Sequence, residues 1–183
     1  MITSVCVFCG SRAGADPAYQ YSAQALGERL GRAGITVVYG GGNVGLMGAH
    51  ANAAMRAGGR VIGIIPKELL QREAGHRGIT ELVISEHMYD RKQKMIDMAD
   101  SFVILPGGLG TLDELFEVIT LRQLNYHSKP IIVVDVAGFW SRLMPLIEHV
   151  VATGFAEASI LDLFKVVPDI DDVLPLLGVD DAA

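Results

Sequence analysis

The sequence predicts an α/β protein: one doubly wound, Rossmann-like domain over 1–183, with a parallel sheet of about seven strands and helices on both faces. Three observations predict it. Short apolar runs alternate with longer stretches of helical spacing along the chain. Two of those runs lead straight into glycine clusters, 40–48 and 107–110, which in turn open helices. The runs are apolar at consecutive positions rather than alternate ones, as in strands buried on both faces.

Each element has its own signal. Strand 4–9 ends at Gly10-Ser11-Arg12. Helix 17–33 follows, with Tyr19, Ala23, Leu26, Leu30 and Ala33 on one stripe and Gly34 as its stop. Strand 35–39 runs into Gly40-Gly41-Gly42-Asn43-Val44-Gly45-Leu46-Met47-Gly48, which opens an alanine-rich helix reaching Ala57. Strand 60–65 stops at Pro66, and a polar stretch of weak periodicity, 67–80, separates it from strand 81–85 and helix 87–99. Strand 101–105 enters Pro106-Gly107-Gly108-Leu109-Gly110-Thr111-Leu112-Asp113-Glu114 and a helix. Strand 130–135, helix 138–153 and a short strand near 164–167 precede an acidic tail helix. No repeat and no linker interrupts the alternation, which is why one domain is expected.

Composition narrows the function. The 183 residues suffice for a stable core, and half are hydrophobic. A net charge of −6 and a pI near 5.3 argue against nucleic acid or an anionic membrane as partner. No apolar run approaches the roughly 20 residues of a transmembrane helix. The beginning, Met1 to Val7, is strand-like without a basic flank, so no signal peptide and a cytoplasmic location are expected.

Cys6 and Cys9 have the C-x-x-C spacing of redox and metal sites. Both fall within a strand, where residues three apart face opposite sides. A thioredoxin-type pair needs a helix N-terminus, and zinc needs further ligands. Packing cysteines are expected, and no metal site.

Ligands of a doubly wound sheet bind beyond the carboxyl ends of its strands. Four segments converge there: Gly10-Ser11-Arg12, Gly40–Gly45 with Gly41 and Gly42, the start of helix 87–99, and Pro106–Glu114. The last leaves backbone N–H groups of Gly107, Gly108, Leu109, Gly110 and Thr111 at a positive helix end, which suits a phosphate. Glu114 follows one turn later, within reach of a ligand held by that loop. Gly40, Gly42 and Gly45 form a literal G-x-G-x-x-G, but a dinucleotide site wants an acid at the end of the next strand. That strand ends Ile64-Ile65-Pro66, with Glu68 only beyond the proline. Neither loop has the Gly-Lys-Ser/Thr ending of a P-loop. The inward stripe of helix 87–99 is Met88, Arg91/Lys92, Met95 and Met98/Ala99, so Arg91 lies on the apolar side, in a first turn where the dipole disfavours a cation. Snorkelling accounts for one such arginine; a guanidinium aimed at the ligand of the 106–111 loop accounts for both oddities.

Taken together, segment 40–48, Asp90-Arg91-Lys92 and Pro-Gly-Gly-Leu-Gly-Thr-Leu-Asp-Glu at 106–114 resemble the Lonely Guy family, over about Val5 to Val167. Its members are cytokinin riboside 5′-monophosphate phosphoribohydrolases with the signature P-G-G-x-G-T-x-x-E and an upstream arginine. The resemblance implies hydrolysis of the N-glycosidic bond of a purine nucleoside 5′-monophosphate, AMP included, to free base and ribose 5-phosphate. It implies Arg91 and Glu114 as catalytic residues and the 107–111 loop as the phosphate site. Ser11, Gly41, Gly42, Glu68, Lys92 and Thr120 are the further substrate-binding candidates. It also implies a homodimer with sites near the subunit interface, and no cofactor. Many members carry an older label of lysine decarboxylase, but no lysine here sits in a context suited to a Schiff base with pyridoxal phosphate.

The chemistry fits these residues independently of the resemblance. Cleavage passes through an oxocarbenium-like sugar, beside which a carboxylate stabilises charge or activates water. The helix after the loop is apolar on two faces: Leu112, Leu115, Phe116 and Ile119 on one, Val118, Leu121 and Leu124 on another. Such a helix is buried on more than one side, by its own neighbours or by a second subunit. Two other functions use the same scaffold: a nucleotide or molybdenum-cofactor carrier that binds without hydrolysis, and an NAD-type oxidoreductase.

Overall fold

A computed structural model of the protein describes residues 1–70 and 74–179. Positions 71–73 of the polar stretch and 180–183 of the tail lie outside the described residues. The strands are β1 (Ser4–Phe8), β2 (Thr36–Tyr39), β3 (Val61–Pro66), β4 (Glu81–Ser85), β5 (Ser101–Ile104), β6 (Ile131–Val134) and β7 (Lys165–Val167). They form one parallel seven-stranded sheet in the order β4-β3-β2-β1-β5-β6-β7. The strand order reverses between β1 and β5, so the topological switch point opens between their carboxyl ends.

The helices are α1 (Pro17–Arg32), α2 (Gly45–Arg56), α3 (Met88–Asp97), α4 (Leu109–Gln123), α5 (Leu143–Ala152) and the short α6 (Val173–Leu176). Asp16 caps α1 by accepting from the Ala18 N–H, Pro17 opens it, and Gly34 at φ +68° ends it. Helices α1, α2 and α6 cover one face of the sheet through Ala23, Leu26, Leu30, Ala51 and Leu174. Helices α3, α4 and α5 cover the other through Met95, Leu115, Ile119, Leu143 and Ile147. Strand β1 alternates between them: Val5, Val7 and Cys9 join the first cluster, Cys6 and Phe8 the second. The two cysteines thus lie in opposite layers, buried and reduced. Burial, then the nearby Glu114 charge, pushes both thiols well above their usual range, which leaves little nucleophilic thiolate.

The expected elements recur within a residue or two, with one exception. Helix 138–153 starts five residues late, at Leu143. A 3₁₀ turn, Val136–Gly138, precedes it, with Ala137 at φ 51° and Gly138 at φ 71°. The Asp135 carboxylate accepts the Trp140 N–H and holds that turn against helix propensity.

Helices α1 and α2 approach closely because glycine faces backbone. A methyl group on Gly27 would lie 2.1 Å from the His50 carbonyl oxygen. Gly27→Ala gains about 1 kcal/mol of helix propensity, yet overpacking against backbone costs about 1–3 kcal/mol. The backbone oxygen has little freedom to give way, which puts the cost in the upper part of that range, about 2–3 kcal/mol, and urea unfolding of the variant is expected to show a net loss of about 1–2 kcal/mol. A variant as stable as the wild type would mean that the two helices separate at no cost.

Candidate active site

The cleft at the switch point has a volume of about 620 Å³, within the usual range for small-molecule sites. Its rim brings together the ends of β1, β2 and β5, the first turns of α3 and α4, and the turn after β6.

The loop after β5 is shaped by contact with the loop after β1. The Gly10 N–H donates to the Pro106 carbonyl at 3.0 Å. A side chain on Gly107 would strike the Thr111 hydroxyl at 2.1 Å and the Gly10 nitrogen at 2.9 Å, so only glycine lets the two loops meet. Helix α4 then begins with no side-chain cap, and the Leu112 N–H donates to the Gly108 carbonyl at 3.1 Å. The amides of Leu109, Gly110 and Thr111 come before that bond in the ladder, at the positive end of a 15-residue helix, and all three residues line the cleft. Thr111 is buried beneath them.

The second glycine loop is built differently. At α2 the Leu46 and Met47 amides donate to the Gly10 carbonyl at 3.0 and 3.3 Å. A main-chain oxygen therefore occupies the helix end that a dinucleotide phosphate would need. Gly45, at φ +59°, lies so close to Ser11 and Arg12 that a methyl group would sit 2.4 Å from their backbone. The G-x-G-x-x-G here is a packing device for the 10–12 loop.

Arg91 and Glu114 both line the cleft and both are buried. Arg91 does not snorkel outward: Nε donates to the Ile64 carbonyl and Nη2 to the Gly40 carbonyl, each at 3.1 Å. The guanidinium is thus set by two main-chain oxygens at the ends of β2 and β3. Met88 Sδ lies 3.5 Å from its Nη1.

Of the predicted site residues, the cleft gathers Ser11, Arg91, Gly107, Gly108, Leu109, Gly110, Thr111 and Glu114. Gly41, Gly42, Glu68, Lys92 and Thr120 are not part of its lining in the single chain. Gly41 points its carbonyl at the His76 N–H, 2.8 Å away, and Gly42 bridges Gly75. Glu68 is exposed in a 3₁₀ turn, Lys67–Leu69, beyond Pro66. Lys92 is one residue on from Arg91, about 100° around the helix. It leaves the cleft for Asp113 and Glu117, both at 3.1 Å. Burial opposes its charge, but the bonds to these two carboxylates outweigh burial and its pKa is raised. Thr120 is exposed on the side of α4 away from Glu114. Gly40 lines the cleft and escaped the candidate set, although it begins the glycine triplet. A methyl group there would lie 2.0 Å from Arg91 Nη2. Tyr19 and Phe139, in edge contact at 5.7 Å, form a further wall that no motif announces. Among the described residues no group of three or more His, Cys, Asp or Glu is placed to hold a metal, and no helix is long and apolar enough to cross a membrane.

Bare helix amides, a buried guanidinium and a carboxylate at the switch point of a doubly wound sheet define a Rossmann-like binder of phosphorylated ligands. Residues 47–177 match the family model described as "Possible lysine decarboxylase". An Arabidopsis thaliana cytokinin riboside 5′-monophosphate phosphoribohydrolase is 46% identical over 151 residues, 82% of this chain and 70% of that one. A Rhodococcoides fascians enzyme of the same name is 39% identical over 172 residues, 93% of this chain and 87% of that one. The chain belongs to this family of phosphoribohydrolases, the Lonely Guy family. The molybdenum cofactor binding protein of Rippkaea orientalis has the same fold, with a TM-score of 0.74 over 97% of this chain and 96% of that one. At 19% identity that likeness concerns the fold alone.

Proposed function

We propose that this protein hydrolyses the N-glycosidic bond of purine nucleoside 5′-monophosphates, AMP among them, releasing the free base and ribose 5-phosphate. The observation that carries the reading is one helix, α4, which offers bare N-terminal amides and a buried carboxylate to the same cleft. The amides of Leu109, Gly110 and Thr111 and the Thr111 hydroxyl hold the 5′-phosphate. Glu114 then stands beside the sugar. As the C1′–N9 bond breaks, its charge stabilises the oxocarbenium-like centre, and it takes a proton from the water that forms the new C1′–O bond. The proton that Glu114 took from the water goes on to the departing purine nitrogen, which regenerates the carboxylate, and Arg91 holds the substrate against Glu114. A carrier would need the anion site but not a buried carboxylate facing the ligand. An NAD enzyme would need the α2 end that Gly10 occupies.

The reading extends to assembly and place. Phe116 and Leu124 of α4 and Met88 and Tyr89 of α3 are exposed, and Lys92 joins the two helices through Asp113 and Glu117. This apolar strip supports a homodimer, in which Lys92 and Thr120 stand at the subunit boundary rather than inside one chain's cleft. A cytoplasmic enzyme acting on soluble nucleotides accords with the acidic pI.

Three measurements test this. AMP is expected to be cleaved and adenosine to be cleaved orders of magnitude more slowly, because each charge-assisted bond to phosphate contributes roughly 1.5–3 kcal/mol. Comparable kcat/KM values for the two would reduce the glycine loop to a turn. Glu114→Gln is expected to keep AMP binding and lose roughly 10²–10⁴-fold in kcat; unchanged turnover removes Glu114 from the mechanism. Light scattering at micromolar concentration is expected to give the mass of a dimer. A monomer with full activity would remove the assembly.

A further inference from the structure

Arg91 owes part of its placement to Gly40, the first residue of a three-glycine turn. Three consecutive glycines have more backbone freedom than any other tripeptide, and Gly41 at φ +75° uses it. Something must hold this turn if the Gly40 carbonyl is to hold a guanidinium. The segment 74–80 supplies it. The His76 N–H donates to the Gly41 carbonyl at 2.8 Å, and Gly75 bridges Gly42.

The imidazole of His76 anchors that segment in turn. Its Nδ1 accepts the Gly78 N–H at 3.2 Å, so the proton of the neutral ring is on Nε2. Nε2 then donates to Asn52 Oδ1 at 3.2 Å, on α2. Asn52 is oriented by its own amide, which donates to the Gly48 carbonyl at 2.7 Å and faces Asn43 Oδ1 at 3.4 Å. His76 is 5% exposed. The ring therefore joins α2 to the segment that clamps the glycine turn.

We propose that His76 is a positioning residue for Arg91: with its backbone N–H on Gly41 and its ring on Asn52, it fixes the glycine turn whose Gly40 carbonyl aims the guanidinium into the cleft. The latch needs the neutral ring, since a proton on Nδ1 would face the Gly78 N–H donor to donor. Burial lowers the pKa of His76 from its ordinary 6.5. The titratable neighbour on α2, His50, is itself kept neutral by burial, with a pKa lowered to about 3. The effect on turnover rests on the role given above to Arg91; the effect on the placement of Arg91 does not.

The test reads placement and activity separately. The ¹⁵N signal of the Arg91 Nε–H, assigned by its loss in Arg91→Lys, reports the bond to the Ile64 carbonyl through its hydrogen exchange. His76→Ala is expected to speed that exchange about fivefold or more, the change that follows from losing a buried bond of about 1 kcal/mol or above. Its kcat for AMP is expected to fall in parallel. His76→Asn puts an acceptor where Nδ1 was and is expected to restore part of both losses. Asn52→Ala leaves His76 in place and removes the ring's partner, along with the amide's bonds within 43–52, and is expected to shift the signal the same way, which keeps the test open should His76→Ala not fold. An Arg91 signal with unaltered exchange in folded His76→Ala or in Asn52→Ala overturns the latch, whatever the activity does. If the wild type leaves AMP intact, the proposed activity fails while the exchange measurement still decides the latch.

Discussion

The peptide groups of Gly10 hold the site together. Its N–H goes to Pro106 at the end of β5, and its carbonyl takes the Leu46 and Met47 amides at the start of α2. One residue at the end of β1 thereby ties the loops of three neighbouring strands, β2, β1 and β5, at their carboxyl ends. The same bonds decide which helix terminus serves a ligand. Two glycine-rich loops open helices at this edge, and both helices lack a side-chain cap. At α2 a carbonyl already takes two of the orphan amides, those of Leu46 and Met47. At α4 the Gly10 bond is to the loop's carbonyl instead, so the amides keep their capacity for an anion. That asymmetry leaves the α4 end, rather than the α2 end, open to an anion.

Crowding at the junction explains why so many of its residues are glycine. Gly45 and Gly107 each approach the backbone of the 10–12 loop more closely than a methyl group permits, and Gly40 gives up its side-chain space to the Arg91 guanidinium. A buried arginine is costly unless its N–H groups are satisfied. Two of the Arg91 nitrogens donate to strand-end carbonyls, which are plentiful where a parallel sheet stops and the ladder no longer uses them. Placing the cation at the sheet edge rather than in the core is what makes its burial tolerable.

Much of this was legible in the sequence because it depends on local rules. Apolar runs and glycine stops mark β1 to β6 and α1 to α4, and Arg91 betrays itself as a cation on an apolar stripe. What stayed illegible depends on where atoms meet. Nothing in 40–48 says that the α2 amides are occupied, since their partner is more than thirty residues away at Gly10. The late start of α5 follows from one Asp135 side chain outcompeting helix propensity at Ala137 and Gly138. Gly40 and Gly41 are adjacent, yet one faces the cleft and the other faces His76. A one-residue choice in a glycine run has no composition signal. Lys92 and Thr120 could have been set apart from the cleft by helical phase alone, being about 100° from Arg91 and 240° from Glu114.

That phase is what lets α4 serve several ends with few residues. Its N-terminal amides face the cleft, Glu114 is buried on the cleft side, and Leu115, Val118 and Ile119 pack under the sheet. Asp113 and Glu117 lie on a third side and draw Lys92 away from Arg91. Two cations adjacent in sequence would repel each other if both faced the cleft. Engaging Lys92 with two carboxylates outside leaves Arg91, of the two, in the lining of the cleft with Glu114. The Asp113–Lys92–Glu117 cluster also fixes α3 against α4, and α3 is the helix from which Arg91 projects. The outer charges of α4 thus join it to the helix that carries Arg91, with no contact to the cleft.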